Sequence, residues 1–317
     1  MLTGCRSDGE SEQHVPKPEA MNAPLPARDG VGPSSVWLAE GPWKTVLEFL
    51  AQRFADVDAA TWIARMEKGE VVDERGVRLA PDCAYRSGVR LYYYRESETE
   101  PPIPFEETVL YQDKHIVVAD KPHFLPVTPA GRFLQQTLLV RLKRKLQLDF
   151  LVPIHRLDRE TAGIVLFSTQ PSSRGDYHAL FHNREVSKTY EALAGVLPKA
   201  RFPITYRSRL VAGDPFFRMQ EAPGEANSET RIDVLEAKGE IACYRLTPVT
   251  GRKHQLRVHM AALGIPILND AFYPQLLPDK GQDFSRPLQL IARTIAFTDP
   301  LTGAVRRFES VRAFSGK

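Results

Sequence analysis

The sequence predicts an α+β fold, in which a large domain built on a mixed, largely antiparallel sheet follows a small helix–helix–hairpin module. Three observations carry that expectation. The 317 residues exceed the roughly 250–300 at which a single core stops growing, so a large domain should come with a smaller companion. Between 42 and 97 the apolar spacing changes from the helical period to alternation. From 105 onward, short apolar strands are joined more often by hairpin-length connections than by strand–helix–strand crossovers, which favours antiparallel pairing.

Residues 1–36 carry Pro16, Pro18, Pro24, Pro26 and Pro33, three basic against five acidic side chains, and no apolar period. Such a segment buries too little to offset its ordering entropy, so a disordered leader is expected. Leu2-Thr3-Gly4-Cys5 has the shape of a lipoprotein processing site, but no apolar stretch precedes it and lipidation is not expected. No run reaches the roughly 18 apolar residues that span a bilayer, so no membrane association is expected. Cys5, Cys83 and Cys243 are scattered singletons, which fits a reducing compartment and a cytoplasmic location. At 43% hydrophobic and 26% charged the composition is that of a globular protein, and the net charge of +3 is compatible with a polyanionic partner.

Trp43, Val46, Leu47, Phe49, Leu50 and Phe54 recur at helical spacing, and Trp62, Ile63 and Met66 do so after Asp56-Val57-Asp58. A strand running into a turn at Glu70–Gly76 and the alternating Val89–Tyr94 complete a module over 42–97. It resembles a degenerate form of the small RNA-binding module of ribosomal proteins and tyrosyl-tRNA synthetases. Asp56, Asp58, Glu67 and Glu70 dilute the basic face of Arg53, Arg65 and Lys68, so a plain packing domain is the competing reading. Residues 98–104, with Pro101, Pro102 and Pro104, read as a linker.

In the domain over 105–317, Val109–Tyr111 and Ile116–Ala119 form a hairpin around Asp113-Lys114, and Leu134–Leu148 is an amphipathic helix. Strands are expected near 163–168, 187–195, 204–210, 230–236, 241–248 and 288–297, with a helix near 253–263. The helix cations Arg141, Lys143, Arg144 and Lys145 suit RNA phosphates or a solvated face.

Two clusters carry chemistry. His155-Arg156-Leu157-Asp158-Arg159-Glu160-Thr161-Ala162-Gly163 lies between apolar strands, where a loop on rigid elements presents charges to a ligand. Its alternative is an ion pair of Asp158 with Arg156 or Arg159. Gly251-Arg252-Lys253-His254-Gln255-Leu256-Arg257-Val258-His259 follows a strand, and a helix there sets Lys253 and Arg257 on one face with Arg252 at the positive end, which suits a phosphate. The alternative is a solvated basic face. His178 and His182 stand one turn apart without an acidic or cysteine partner, so no metal is expected. Phosphate-loop and dinucleotide fingerprints are absent, and no cofactor is expected.

The block His155–Gly163 resembles the signature of RNA pseudouridine synthases of the RluA family, whose catalytic aspartate matches Asp158. Three further segments agree in order: Val117-Val118-Ala119-Asp120-Lys121-Pro122, Lys188-Thr189-Tyr190, and Gly251–His259 followed by Leu263-Gly264-Ile265-Pro266-Ile267 and Asp270. The resemblance covers about 105–310 and implies a catalytic domain of pseudouridine synthase type. It implies a cofactor-independent, monomeric isomerase that converts uridines of ribosomal or transfer RNA to pseudouridine. Asp158, Tyr190 and Arg257 match its catalytic positions, and Arg156, Arg159, Lys188, Arg252, Lys253 and His254 are its candidate RNA contacts. Thr128, Lys253, Ile265 and Asn269 depart from the residues usual there, which bears on substrate choice. The competing expectation is a non-catalytic RNA-binding or ribosome-assembly protein that kept the fold.

Overall fold

The computed structural model describes residues 23–95, 100–198, 200–278 and 281–314. The chain divides into two compact units, one holding the described residues up to 95 apart from 29–31, the other holding 29–31 and the described residues from 100 on.

In the first unit, β1 (Ser34–Trp37) is followed by α1 (Val46–Arg53), α2 (Ala59–Glu67), β2 (Val71–Asp73) and β3 (Arg90–Tyr93), with the strands paired antiparallel in the order β1-β3-β2. Local chemistry sets both helix starts. Thr45 and Glu48 form a reciprocal capping box on α1, and the Asp58 carboxylate accepts from Thr61 N at 2.6 Å on α2. Phe49, Leu50, Trp62, Met66, Leu91 and Tyr93 form the core.

β1 corrects the expected leader. Residues 34–36 are strand rather than disordered, because β3 offers them an open edge and Leu38 then buries beneath. Upstream, Arg28 pairs with Glu70 at 2.6 Å and Tyr94 Oη donates to Pro26 O at 2.8 Å. Residues 1–22 of that leader lie outside the described residues. Of the module's expected basic face, Arg65 is buried with its guanidinium 5.1 Å over the Trp62 ring, which favours the packing reading at that position.

The second unit is built on one large sheet. In chain order it contains β4 (Thr108–Gln112), β5 (Ile116–Lys121), α3 (Leu138–Leu146), β6 (Val152–Pro153), β7 (Ala162–Ser168), α4 (Pro171–His182), β8 (Ser187–Gly195), β9 (Ile204–Ala212), β10 (Met219–Ala222), β11 (Ser228–Lys238), β12 (Ile241–Pro248), α5 (Gln255–Ala262), β13 (Leu290–Thr298) and β14 (Val305–Glu309). The strand order is β10-β9-β11-β12-β8-β13-β7-β5-β4, with β14 on β13 and β6 on β7. The β13–β7 pair is parallel, while the other pairings run antiparallel, so the sheet is mixed and largely antiparallel as expected. β5 and β7 are buried along their whole length, which is why Ile116–Ala119 and Ile164–Phe167 read as apolar runs.

Gly163 sits where β7 approaches β13. Its φ is +112°, and a Cβ there would lie 2.3 Å from Ala292 O, so only glycine closes the strand that follows the Asp158 loop. The expected linker is also corrected from Glu100 on. The Glu100 carboxylate accepts from Gln135 N and Gln136 N at 2.7 and 2.8 Å, and Ile103 is buried in a core with Val117, Leu138 and Phe167. α3 is shorter than the expected 134–148. Leu138 N is committed to Pro126 O at the start, and Gln147 turns left-handed at the end. β10, β14 and α4 lie outside the elements expected from the sequence.

Candidate active site

The loop carrying Asp158 leaves β6 and enters β7 under several restraints. Lys121, fully buried, donates from Nζ to the carbonyls of Pro122, Leu125 and Arg159 at 3.0, 2.7 and 3.0 Å. Burial pushes this amine down to about 7, and the three acceptors match the three donors of its ammonium form. His123 Nδ1 donates to Glu160 O at 2.7 Å, and His155 Nε2 accepts from Leu166 N at 3.1 Å. The carboxylate is thereby presented with its side chain 30% exposed.

Arg257 comes from α5 and is 2% exposed. Its Nε and Nη2 donate to the two oxygens of Asp270 at 2.8 and 2.7 Å, and its Nη1 lies 3.4 Å from Asp158 Oδ2. Asp270 Oδ1 also accepts from Phe272 N and Tyr273 N, so the fork is locked onto a turn of the backbone. Burial works against the guanidinium charge, but Asp270 and then Asp158 more than offset it and raise Arg257 above its ordinary range.

His254 precedes α5 in a left-handed conformation, φ 54°, and this starts the helix at 255 rather than the expected 253. Its Nδ1 lies 2.8 Å from Tyr273 Oη, which also accepts from Met219 N at 2.8 Å. With the neutral ring's proton on Nε2, the nitrogen that faces the carboxylate of Asp158, Nδ1 accepts from Tyr273 Oη. Nε2 faces Asp158 Oδ2 at 3.8 Å. Burial holds His254 down to about 4 despite the attraction of Asp158, so the ring is neutral near pH 7.

Tyr190 lies on β8, opposite Leu246 of β12 and Ala292 of β13. Burial, and then the negative charge of Asp158, raise its hydroxyl above the ordinary phenol range. It therefore presents an O–H rather than a phenolate at neutral pH. Lys188, two residues earlier, is half-buried and lowered by that burial, with Nζ 5.6 Å from the Phe181 ring centre.

These groups share a cleft of about 1090 Å³. Asp158, Tyr190, Arg257, Arg156, Lys188, Arg252, Lys253 and His254 all line it. The expected pairing of Asp158 with Arg156 or Arg159 gives way to Arg257, ninety-nine residues along the chain. Arg159 turns away: its Nε donates to Phe124 O at 3.1 Å and its guanidinium lies 5.0 Å over Phe133. Arg141, Lys143 and Arg144 are not in the cleft lining. Arg141 is committed to Phe105 O, Ile103 O and Glu107, Arg144 is exposed and binds the Gln135 amide, and Lys143 is half-buried, so α3 does not bring these three into the cleft with Asp158.

Sequence reasoning named Asp270 only as part of a matching segment and missed its grip on Arg257, and it missed Tyr273 and also Arg184, which lines the cleft beyond α4. Gln255 was missed as well. Its amide accepts from Thr250 Oγ1 and Arg252 N and donates to Glu229 O and Thr230 Oγ1, fixing the turn that carries Arg252 and Lys253. Of the departures from the family pattern, Thr128 lines the cleft and Ile265 is core. Asn269 stands at φ 63°, a left-handed position that asparagine tolerates in place of glycine. Among the described residues no cluster of three or more metal-ligating side chains is present.

Residues 115–262 match the family described as RNA pseudouridylate synthase. The dual-specificity RNA pseudouridine synthase RluA of Haemophilus influenzae is 32% identical over 226 residues, covering 68% of this chain and 98% of that protein. Human pseudouridylate synthase RPUSD2 is 32% identical over 241 residues, or 74% of this chain, which spans only 43% of the human protein's length. The solved structure of human RNA pseudouridylate synthase domain containing 1 superposes with a TM-score of 0.55 at 23% identity, covering 68% of this chain and 86% of that one, and shares the fold. The ordered motifs, the mixed sheet and these relatives agree: the chain belongs to the RluA family of RNA pseudouridine synthases.

Proposed function

We propose that this protein isomerises specific uridines in structured ribosomal or transfer RNA to pseudouridine, with Asp158 as the catalytic carboxylate. The reaction breaks the bond between N1 of the base and C1′ of the ribose, turns the bound uracil and joins C5 to C1′. N1 takes up a proton and C5 loses one, so neither a redox partner nor an energy source enters the balance. The observation that carries the reading is the position of Asp158. It lies on the cleft with Oδ2 facing Arg257 and His254, and among the described residues no donor is bonded to Oδ1. Oδ1 is thus the oxygen presented to the ribose, where an ionised carboxylate serves either as nucleophile or as the group that stabilises charge and moves a proton.

Tyr190 offers a face to the base and an O–H beside the reacting atoms. A uridine must leave its stack to reach this depth, at a cost of a few kcal/mol. Arg156, exposed beside Asp158, is placed to fill the vacated space or to hold a phosphate. Lys188, Arg252 and Lys253 supply the cations that draw in the RNA backbone. A monomer is the state proposed on this reading. Pseudouridine mapping of ribosomal and transfer RNA, from cells with the wild-type protein, without it and with Asp158→Asn, tests the assignment. A site lost in the latter two supports it and names the substrate, whereas identical maps contradict it.

A further inference from the structure

The loop 213–218 between β9 and β10 holds a bare aromatic ring in place. Phe216 is 86% exposed, the most exposed of the large apolar side chains described. A single exposed apolar residue is ordinary on a protein surface. This one differs in how it is braced and where it leads. Gly213 N donates to Arg218 O at 3.1 Å and Arg218 N to Pro215 O at 2.8 Å, closing the loop on itself. The Arg218 guanidinium donates to Pro274 O at 3.0 Å and lies 5.0 Å over the Tyr273 ring, tying the loop to the segment that holds His254 and Arg257.

From Phe216 a line of rings runs into the cleft. Phe216 meets Phe217 at 5.7 Å and 81°, Phe217 meets Phe272 at 5.4 Å, and Phe272 meets His254 at 5.6 Å. Arg257 lies 4.7 Å over the same Phe272. Under the hairpin, Leu210, Met219, Val258 and Tyr273 form a small core, so β9 and β10 are seated on the helix that carries Arg257. The backbone that carries the exposed ring is thus tied to the segment bearing His254 and Arg257.

We propose that Phe216 is a stacking platform for an unpaired RNA base near the target uridine. The proposal rests on the reading of the cleft as an RNA pseudouridine synthase site. Single-stranded RNA is held by aromatic faces that accept any base, together with cations along its backbone. A flipped uridine leaves its neighbours without a stacking partner, and an exposed ring joined to the cleft through Phe217 and Phe272 supplies one. Arg252 and Lys253 at the cleft supply the accompanying positive charge.

The test measures binding of the full chain to a fluorescein-labelled RNA stem-loop with an unpaired, uridine-containing loop, over a salt series, with turnover on total ribosomal and transfer RNA alongside. Phe216→Ala should weaken binding roughly fivefold or more while leaving the melting temperature and the salt slope unchanged, because stacking releases no counterions. Phe216→Trp should restore affinity, and its added emission should be quenched by the RNA. Arg252→Ala, as a control for phosphate contact, should reduce the salt slope by about 1. An alanine variant within twofold of wild type, on an RNA that wild type binds, overturns the platform alone. So does a tryptophan variant as weak as the alanine one. Wild-type protein that neither binds nor modifies RNA overturns the reading of the cleft and the platform with it.

Discussion

Tyr273 Oη lies 2.8 Å from Nδ1 of His254, while the other ring nitrogen, Nε2, faces Asp158 Oδ2 at 3.8 Å. Tyr273 Oη accepts from Met219 N, and with the ring's proton on the nitrogen that faces the carboxylate, it donates to His254 Nδ1 and Nε2–H points at Asp158 Oδ2. At 3.8 Å this is an approach rather than a hydrogen bond, and such contacts tighten when substrate enters. Together with Arg257 Nη1 it faces one oxygen of the carboxylate; on the proposed function the other is the one that meets the ribose.

The first expected outcome concerns that donor. Glutamine at 254 can place an amide N–H near the position of Nε2, whereas asparagine reaches only as far as Nδ1. His254→Gln should keep most of kcat, and His254→Asn should lose about tenfold or more with RNA affinity little changed, as an orienting role acts on the rate. Equal rates for the two variants would mean that the ring acts only as packing.

Arg257 and Asp270 form a buried pair whose members have no substitute. Asp270→Asn removes the charge that holds the guanidinium, and breaking such a pair by one partner costs about 3–5 kcal/mol. Urea unfolding should show that loss, and kcat should fall with it because Arg257 then swings between the new amide and Asp158. An unchanged unfolding midpoint would contradict the locked geometry.

For Tyr190, phenylalanine keeps the stacking face and removes the O–H. Tyr190→Phe should bind RNA within about threefold of wild type and lose roughly tenfold or more in single-turnover rate. A variant with the wild-type rate would reduce the residue to a stacking surface. Since burial and Asp158 raise this hydroxyl, wild-type rates should show no alkaline limb below about pH 10 that disappears in Tyr190→Phe.

Acid should weaken the fold earlier than carboxylate titration alone would. Burial lowers His254, His259 and His123 to about 4 and His155 to about 3, against an ordinary value of 6.5. The unfolded chain binds protons below about pH 6.5 that the folded one refuses. This stability is therefore complete above about pH 6.5 and is lost as pH falls towards about 4. The contribution is about 1–2 kcal/mol each for His254 and His259, the more deeply buried pair, at about pH 5 relative to about pH 7. Urea midpoints at the two pH values measure it, and equal midpoints would contradict neutral burial.

Much of the fold was legible because its central strands hold apolar runs, as at Ile116–Ala119 and Ile164–Phe167. Ser34–Trp37 was not, since a four-residue edge strand gains its stability from β3, far along the chain. The clusters around Asp158 and Arg257 were visible as motifs, yet their pairing with one another and with Asp270 is a product of the sheet. Arg141 illustrates the limit of composition. Its charge suggested RNA, while the side of α3 on which it lies commits it to Phe105 O and Ile103 O. The left-handed turn at His254 could not be read from helical periodicity either, because the hydrogen bond to Tyr273 accompanies it only in the folded chain.

The central claim is that Asp158 performs chemistry at a uridine held in this cleft. Purified wild-type protein and Asp158→Asn should be compared on RNA containing uridine tritiated at C5, with tritium release and RNA affinity followed together. The account predicts release by wild type and none by Asp158→Asn, with affinities within a few-fold. Release by the asparagine variant at the wild-type rate would contradict it.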